Sequence, residues 1–444
     1  MIRPRSGTAA GIIPFFSLIL LFLSLPSSLP AGIGALGDNT RYLPLDHPVY
    51  DFLDRLQERG RLNGLNPSLR PYTRLQVIEA VEKEKASGLR SFELRLIETI
   101  RTECAVDIQG ASAGDSAGIN VITRFEASQE LGNIRPDRSL NTIGAGFGGR
   151  FSHLVFDCRF LRAPQFMEVS DTTSLRDPDV LPPLEEGLIR PMEGYLKGDF
   201  RLFGGAFSTE IFYGRMARNW SPALDHSLIL GSRAMSFDHL ALTLRSRHLT
   251  FSHLMASLDG MSYRTAGKEY VRAHRFLSAH RLDIRIRDHI RFGITETAVY
   301  GGENRGFDMW LANPFTSFRL AAIQNKIDHA NNSFIALDGW YNIRNRLTLF
   351  GQFLFDDFLR DKDIQNRWAL DLGLNFRDIP GLGPSTAGVR ATVVSSFAYN
   401  TFQPYERYII SGRPLGAPLG NDYWSLGGFF RYFLSGDCDL KLHI

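Results

Sequence analysis

The side chains with the clearest chemical potential are arginines set two residues apart. Arg285 and Arg287, with Arg291 beyond a tight turn at Asp288 and His289, alternate with Leu282, Ile284 and Ile286 and then with Ile290, Phe292 and Ile294. A period of two places the three guanidinium groups on one face of a hairpin. Planar guanidinium forks suit paired hydrogen bonds to a carboxylate or phosphate, which points to acidic sugars or phosphates as ligands. The competing reading is structural, because Asp283, Asp371 and Glu296 could pair with the same arginines and brace the fold. A second candidate is Asp356 with Asp357, followed by Arg360, Asp361, Lys362 and Asp363. Paired carboxylates hold Ca²⁺ or sugar hydroxyls, although such clusters are also solvated turns. Trp310, like Trp220, Trp340 and Trp424, offers a ring that stacks on a sugar; in a membrane protein most such rings belong to interfacial girdles. The candidate binding set is therefore Arg285, Arg287, Arg291, Asp356, Asp357 and Trp310.

Other motif matches fail on context. Gly114-Asp-Ser116-Ala-Gly118 fits a nucleophile-elbow pattern, but it precedes a strand, whereas that serine needs a strand-to-helix turn. Gly144-Ala-Gly146-Phe-Gly148-Gly149 has no helix after it to supply a phosphate-binding dipole, and suits glycines in a curved strand. His239, His248, His253, His274 and His280 show no ligand spacing, and Cys104, Cys158 and Cys438 are far apart and odd in number. The expectation is no catalytic residue, no metal and no cofactor.

What must position the candidates is a sheet. The 444 residues include 33 Phe and 41 Gly, with 44% hydrophobic and 22% charged residues and a net charge of +3. That balance excludes wholesale disorder and gives no case for nucleic acid. Arg3 and Arg5, the apolar run Ile12 to Leu25 and the small residues up to Ala31 read as a secretory signal peptide over residues 1–35. Residues 36–105 then read as a small periplasmic helical domain. Val49 to Arg59 sets Val49, Phe52, Leu53 and Leu56 on one face before Gly60. Thr73 with Gln76 forms a capping box for a second helix, with Leu75, Ile78 and Val81 inward. A third helix spans Ser91 to about Thr102 with Phe92, Leu96 and Ile97 inward, and residues 106–117 are a linker.

From residue 118 the period becomes two. Trp368, Leu370, Leu372, Leu374 and Phe376 alternate with Ala369, Asp371, Gly373 and Asn375; Leu196, Phe200 and Leu202 alternate with Lys197, Asp199 and Arg201. Ile119–Ser128, Leu240–Arg247, Arg346–Asp356, Val389–Phe397 and Trp424–Phe433 read alike. Many of these segments have the length of a tilted membrane-crossing strand. Alternation alone also fits a soluble sandwich, but export and large apolar residues on one face favour an antiparallel transmembrane β-barrel of roughly 14–18 strands over residues 118–444. Its lumen would be lined by Lys197, Asp199, Arg201, Asp283, Arg285, Arg287 and Arg291. Short turns (Arg287–His289, Arg344–Asn345) against long segments (Pro164–Pro191, Asn400–Asn421) match the outer-membrane arrangement. The segment Asp439–Leu442 reads as an incomplete closing strand.

Four stretches carry a family resemblance: Leu43–Gly64 with Arg70–Val81 (LPLDHPVYDFLDRLQERGRLNG and RPYTRLQVIEAV), Phe276–Pro314, Arg346–Phe358 (RLTLFGQFLFDDF) and Arg413–Gly420 (RPLGAPLG). In this order they resemble the Wzi family of capsule assembly proteins, outer-membrane barrels with a small helical bundle. The resemblance implies a non-catalytic, lectin-like protein that attaches capsular or other surface polysaccharide to the cell, with outer-membrane lipid around it. The helical segment also resembles an S-layer homology half-repeat, found before carbohydrate porins, so a substrate-specific porin is the alternative. An outer-membrane enzyme acting on lipid or glycan is the third reading.

Overall fold

The computed structural model describes residues 33–34, 38, 40–84, 88–111, 116–127, 139–151, 154–162, 190–202, 206–223, 226–231, 236–264, 267, 269–318, 331–357, 367–434 and 439–443. The leader segment lies outside them, apart from a two-residue strand at Ile33–Gly34. Helix α1 (Val49–Glu58) buries Val49, Tyr50, Leu53 and Leu56, spaced three and four apart. It ends before Gly60, whose φ of +71° suits glycine. Helix α2 (Arg74–Glu82) starts on the capping box of Thr73 and Gln76, but buries Val77, Ile78, Ala80 and Val81, with Leu75 only half-buried. Helix α3 (Ser91–Ala111) buries Phe92, Leu96, Ile97, Ile100 and Cys104. It runs past Thr102 into the expected linker, since no glycine or proline interrupts it before Gly110. The three helices share one apolar core with Phe433 of the last long strand.

The strands are β1 (Ser116–Ala127), β2 (Ser139–Phe151), β3 (Leu154–Arg162), β4 (Arg190–Leu202), β5 (Phe207–Met216), β6 (Phe237–Arg245), β7 (Leu249–Ser257) and β8 (Met261–Arg264). After them come β9 (Tyr270–Arg287), β10 (Ile290–Gly302), β11 (Asn332–Ile343), β12 (Leu347–Asp357), β13 (Arg367–Arg377), β14 (Ser385–Val394), β15 (Tyr423–Phe433) and β16 (Asp439–His443). With Ile33–Gly34, which pairs with β4, they form one 17-stranded sheet of sequential antiparallel neighbours. β16 adjoins β1 in the strand order, and β7 pairs with β9, so the order returns on itself as a barrel.

The two faces of the wall are chemically opposite. Asp371 is fully buried, whereas its neighbour Leu372 is 52% exposed. The outward row continues across the sheet through Leu282, Ile294, Leu337, Leu349, Leu374, Val389 and Leu426. In water such a belt would be costly; against acyl chains it is the ordinary lipid-facing surface of a barrel. No helix among the described residues is long and apolar enough to cross a membrane.

Tight connections (residues 246–248, 288–289 and 344–346) gather at one end, here the turn end, and longer stretches (217–223, 226–231, 303–318 and 395–422) at the other, the loop end. The helices dock at the turn end. Asn342 donates to the Gly60 carbonyl (2.7 Å), Arg291 to the Asn63 carbonyl, and Asn66 to Asp283 (2.9 Å). A Cβ at Gly60 would collide with the Asn342 side chain, so glycine serves both the turn and the docking.

Candidate functional site

The barrel interior is filled from both ends. Near the turn end the segment before α1 threads between the strands: the Tyr42 amide donates to the Tyr195 hydroxyl (2.9 Å), the Tyr42 hydroxyl to Glu210, and Lys197 to the Asp38 carbonyl (2.9 Å). From the loop end, residues 217–223 and 226–231 fold inward until Arg70 and Asn219 exchange backbone hydrogen bonds (3.0 Å each), joining loop to helical domain. Gln352 of β12 clamps this loop, donating to the Trp220 carbonyl (2.7 Å) and accepting from the Leu228 amide (2.8 Å). Residues 395–422 pack beside it. The Tyr399 hydroxyl donates to the Leu228 carbonyl (2.8 Å), and Arg275 donates to the carbonyls of Tyr405, Arg407 and Ile409. Burial pushes the Glu406 carboxyl in this loop up, against the Thr401 hydroxyl and Arg305. Trp220, Leu228, Ile229, Tyr408, Ile410 and Leu415 then share one apolar core with wall residues such as Phe212, Leu277 and Phe334.

Between these plugs, on the helical-domain side, lies a cavity of about 320 Å³ bounded by residues 64–72, α2 and strands β6, β7, β9 and β10. Its lining is strongly basic, with Arg70, Arg218, Arg245, Arg247, Arg285 and Arg291 against Asp283 and Glu79. Some of that charge is matched: Arg245 reaches Glu210 at 3.3 Å and Arg70 reaches Asp54 at 2.8 Å. Among the described residues Arg291 donates to the carbonyls of Asn63 and Gly64. Arg218 donates to His239 (3.0 Å) and lies over the rings of Tyr42 and Phe212. Arg285 donates to the Arg247 carbonyl and is 3.8 Å from Asp288.

The structure divides the six sequence candidates between the two ends. Arg285 and Arg291 are cross-strand partners at the turn end and line the cavity. Arg287 does not join them: the register shifts between Arg285 and Arg287, and Arg287 is exposed beside the turn. This corrects its expected place in the lumen, since one extra residue in a bulge re-aims the side chain. Asp356 and Trp310 belong to the loop end. Asp356 is buried and accepts the Tyr399 amide (2.7 Å), fixing the infolded loop, and Trp310 packs beside Phe318 and Tyr300. The side chain of Asp357 lies outside the described residues.

The expected bracing exists, mostly on arginines that alternation did not single out. Arg281 holds Asp283 (2.6 Å) and Asp338 (2.6 Å), and Arg390 holds Asp371 (2.7 Å). Glu296 instead accepts from Ser317 (3.0 Å) and is bonded to His280 (3.0 Å), whose ring packs against Phe318. His253 is the cross-strand neighbour of His280, a proximity invisible in spacing, since pairing brings together residues far apart in sequence. No group of three metal-ligating side chains occurs among the described residues.

Residues 150–444 match the family model of the capsule assembly protein Wzi. The chain belongs to that family. Among solved structures it is similar to Wzi of Escherichia coli, described as an outer membrane protein involved in group 1 capsule assembly and a carbohydrate-binding β-barrel. The identity is 14% and the TM-score 0.55, over 90% of this chain and 82% of that one. OmpT of Vibrio cholerae (8% identity, TM-score 0.29, 74% of this chain and 100% of that one) and an anion-selective porin from Comamonas acidovorans (8%, 0.31, 74% and 100%) are more distant. No curated protein sequence matches the chain.

Proposed function

We propose that the chain is an outer-membrane barrel that binds exported capsular polysaccharide and holds it at the cell surface without catalysis. The observation that carries this reading is the filled interior. Residues 217–223 and 226–231, with loop 395–422, are locked to the wall and to the helical domain by hydrogen bonds and a shared apolar core. A porin needs a continuous aqueous path; a surface receptor needs a rigid platform. Long loops of outer-membrane barrels face the exterior, so the loop end is where exported polymer is met. That end presents Phe402, 95% exposed, and the ring pair of Tyr263 and Tyr405 with centroids 5.3 Å apart, both suited to sugar stacking.

A pull-down of the producing cell's surface polysaccharide on full-length protein folded in detergent tests the reading. Wild type retains the glycan, and Phe402→Ala/Tyr405→Ala loses most of it. Failure of folded wild type to retain any would sink the proposal, and ion conductance in planar bilayers would then favour the porin.

A further inference from the structure

We propose that the basic cavity at the turn end is a second binding site, specific for an oxyanion, a phosphate or a sugar carboxylate. It is separate from the polymer-binding loop end and does not depend on that reading.

The argument starts from charge that the fold leaves unmatched. Elsewhere in the interior, cations meet carboxylates at contact distance: Arg159 with Glu193 (2.6 Å), Lys197 with Asp199 (2.9 Å), Arg281 with Asp338 (2.6 Å) and Arg390 with Asp371 (2.7 Å). Around the cavity the matching is incomplete, although Arg245 and Arg70 pair with Glu210 and Asp54. Arg218 and Arg291 have no carboxylate within ion-pair distance among the described residues, and Arg285 has only Asp288 at 3.8 Å. Asp283, which could neutralise them, is already held by Arg281 and Asn66. Arg70 is 2% exposed, and its Nε and Nη1 have no hydrogen-bond partner, nor does Nη2 of Arg218. Buried guanidinium N–H groups without acceptors are costly, and all these side chains line one cavity. An anion placed there would receive donors from three sides: residues 64–72, the infolded loop and the β9–β10 hairpin.

Size and access narrow the ligand. About 320 Å³ is at the lower end of the roughly 300–1,000 Å³ typical of small-molecule pockets. It admits one phosphate-bearing or uronic acid unit, not a length of polymer. The rim includes the exposed Arg247 and His248 of a short turn, and in outer-membrane barrels short turns face the periplasm. The site therefore samples periplasmic anions, on the opposite side of the infolded loops from exported glycan.

Isothermal titration of full-length, detergent-folded protein with inorganic phosphate, glucuronate and glucose in separate arms tests the inference. Saturable binding of phosphate or glucuronate, but not glucose, supports it, and the arm that binds identifies the anion's source. Arg285→Ala and Arg291→Gln, both partly exposed, should each weaken that binding about 10- to 100-fold, the loss expected for a charge-assisted hydrogen bond. Polysaccharide retention at the loop end should not change. Equal binding of glucose and glucuronate, no binding in either anion arm, or unchanged affinity in both variants would overturn the proposal. Wild-type protection of α1 and α3 amides against hydrogen exchange shows that each variant is folded.

Discussion

Replacing Arg59 with alanine should loosen the helical domain from the barrel by about 3–5 kcal/mol, the cost of removing one partner of a buried ion pair. Arg59 follows α1, and its side chain is fully buried. The guanidinium donates to Glu93 (2.9 Å), to the Ser385 carbonyl (3.0 Å) and to both oxygens of Asp378 (3.0 and 3.2 Å), and lies 4.8 and 5.2 Å from the ring centroids of the stacked pair Phe92 and Phe433. Helical domain, turn and wall thus share one cation. Alanine would leave Glu93, also fully buried, with the more distant Arg61 (3.4 Å), while Asp378 keeps Arg377 (2.9 Å). At about 1.4 kcal/mol per tenfold, the undocked population should rise between roughly a hundredfold and a few thousandfold. Hydrogen exchange of the α1 and α3 amides in increasing urea reads this directly, because undocking exposes them before the barrel opens. The Arg59→Met/Glu93→Leu pair should recover most of the loss, since matched apolar replacement of a buried pair is often nearly neutral. A change below about 1 kcal/mol for Arg59→Ala would refute the reasoning, placing the pair among ordinary surface ion pairs.

The same junction should weaken in acid. Burial alone would raise the Glu93 carboxyl, but the Arg90 amide and Arg59 outweigh it and hold it below its ordinary 4.5, and Asp378 is likewise held below 3.8. Lowered carboxyls contribute stability above their ordinary values and lose it as pH falls through the lowered ones, so their contribution to α1 protection should be lost below about pH 4. Gly293→Ala should destabilise the barrel, because a Cβ there would meet the Arg281 guanidinium and Asp338; a Tm drop of a few degrees checks it, and no change would mean the pair shifts freely. Single-channel recordings of wild type should show little conductance, and Gln352→Ala, which unclamps residues 217–223 and 226–231, should raise it. A wild-type current of porin size would contradict the filled lumen.

The wall was legible because alternation is a local signal. The face of Leu372 against Asp371, the helix start at Thr73 and the short-turn, long-loop asymmetry follow from side-chain types a few residues apart. Contents of the lumen were not. Trp220 reads as a girdle residue, yet it sits inside on an infolded loop, and Asp356 reads as a ligand carboxylate, yet it anchors Tyr399. Both roles depend on contacts more than 40 residues away in sequence, which no periodicity encodes. Arg287 departs for a different reason: the bulge sets it opposite Ile290 instead of on the face of Arg285 and Arg291, and a bulge leaves no mark in a run of alternating residues. Arg285 and Arg291 keep their inward facing because they precede and follow that irregularity as direct partners.

Filling the lumen also explains why its charges are so closely matched. In an open pore, water screens a lumenal arginine, and an unpaired one costs little. Once loops and helices displace that water, each guanidinium needs a carboxylate of its own, as Arg281 has in Asp283 and Asp338 and Arg390 has in Asp371. Arg218 and Arg291 depart from this pattern beside a space of about 320 Å³ that they help to line. Solvent or a bound anion in that space is what keeps their positive charge tolerable. Filling it with an apolar side chain, as in Thr243→Leu, should therefore cost stability rather than add it, the opposite of what cavity filling does in an apolar core.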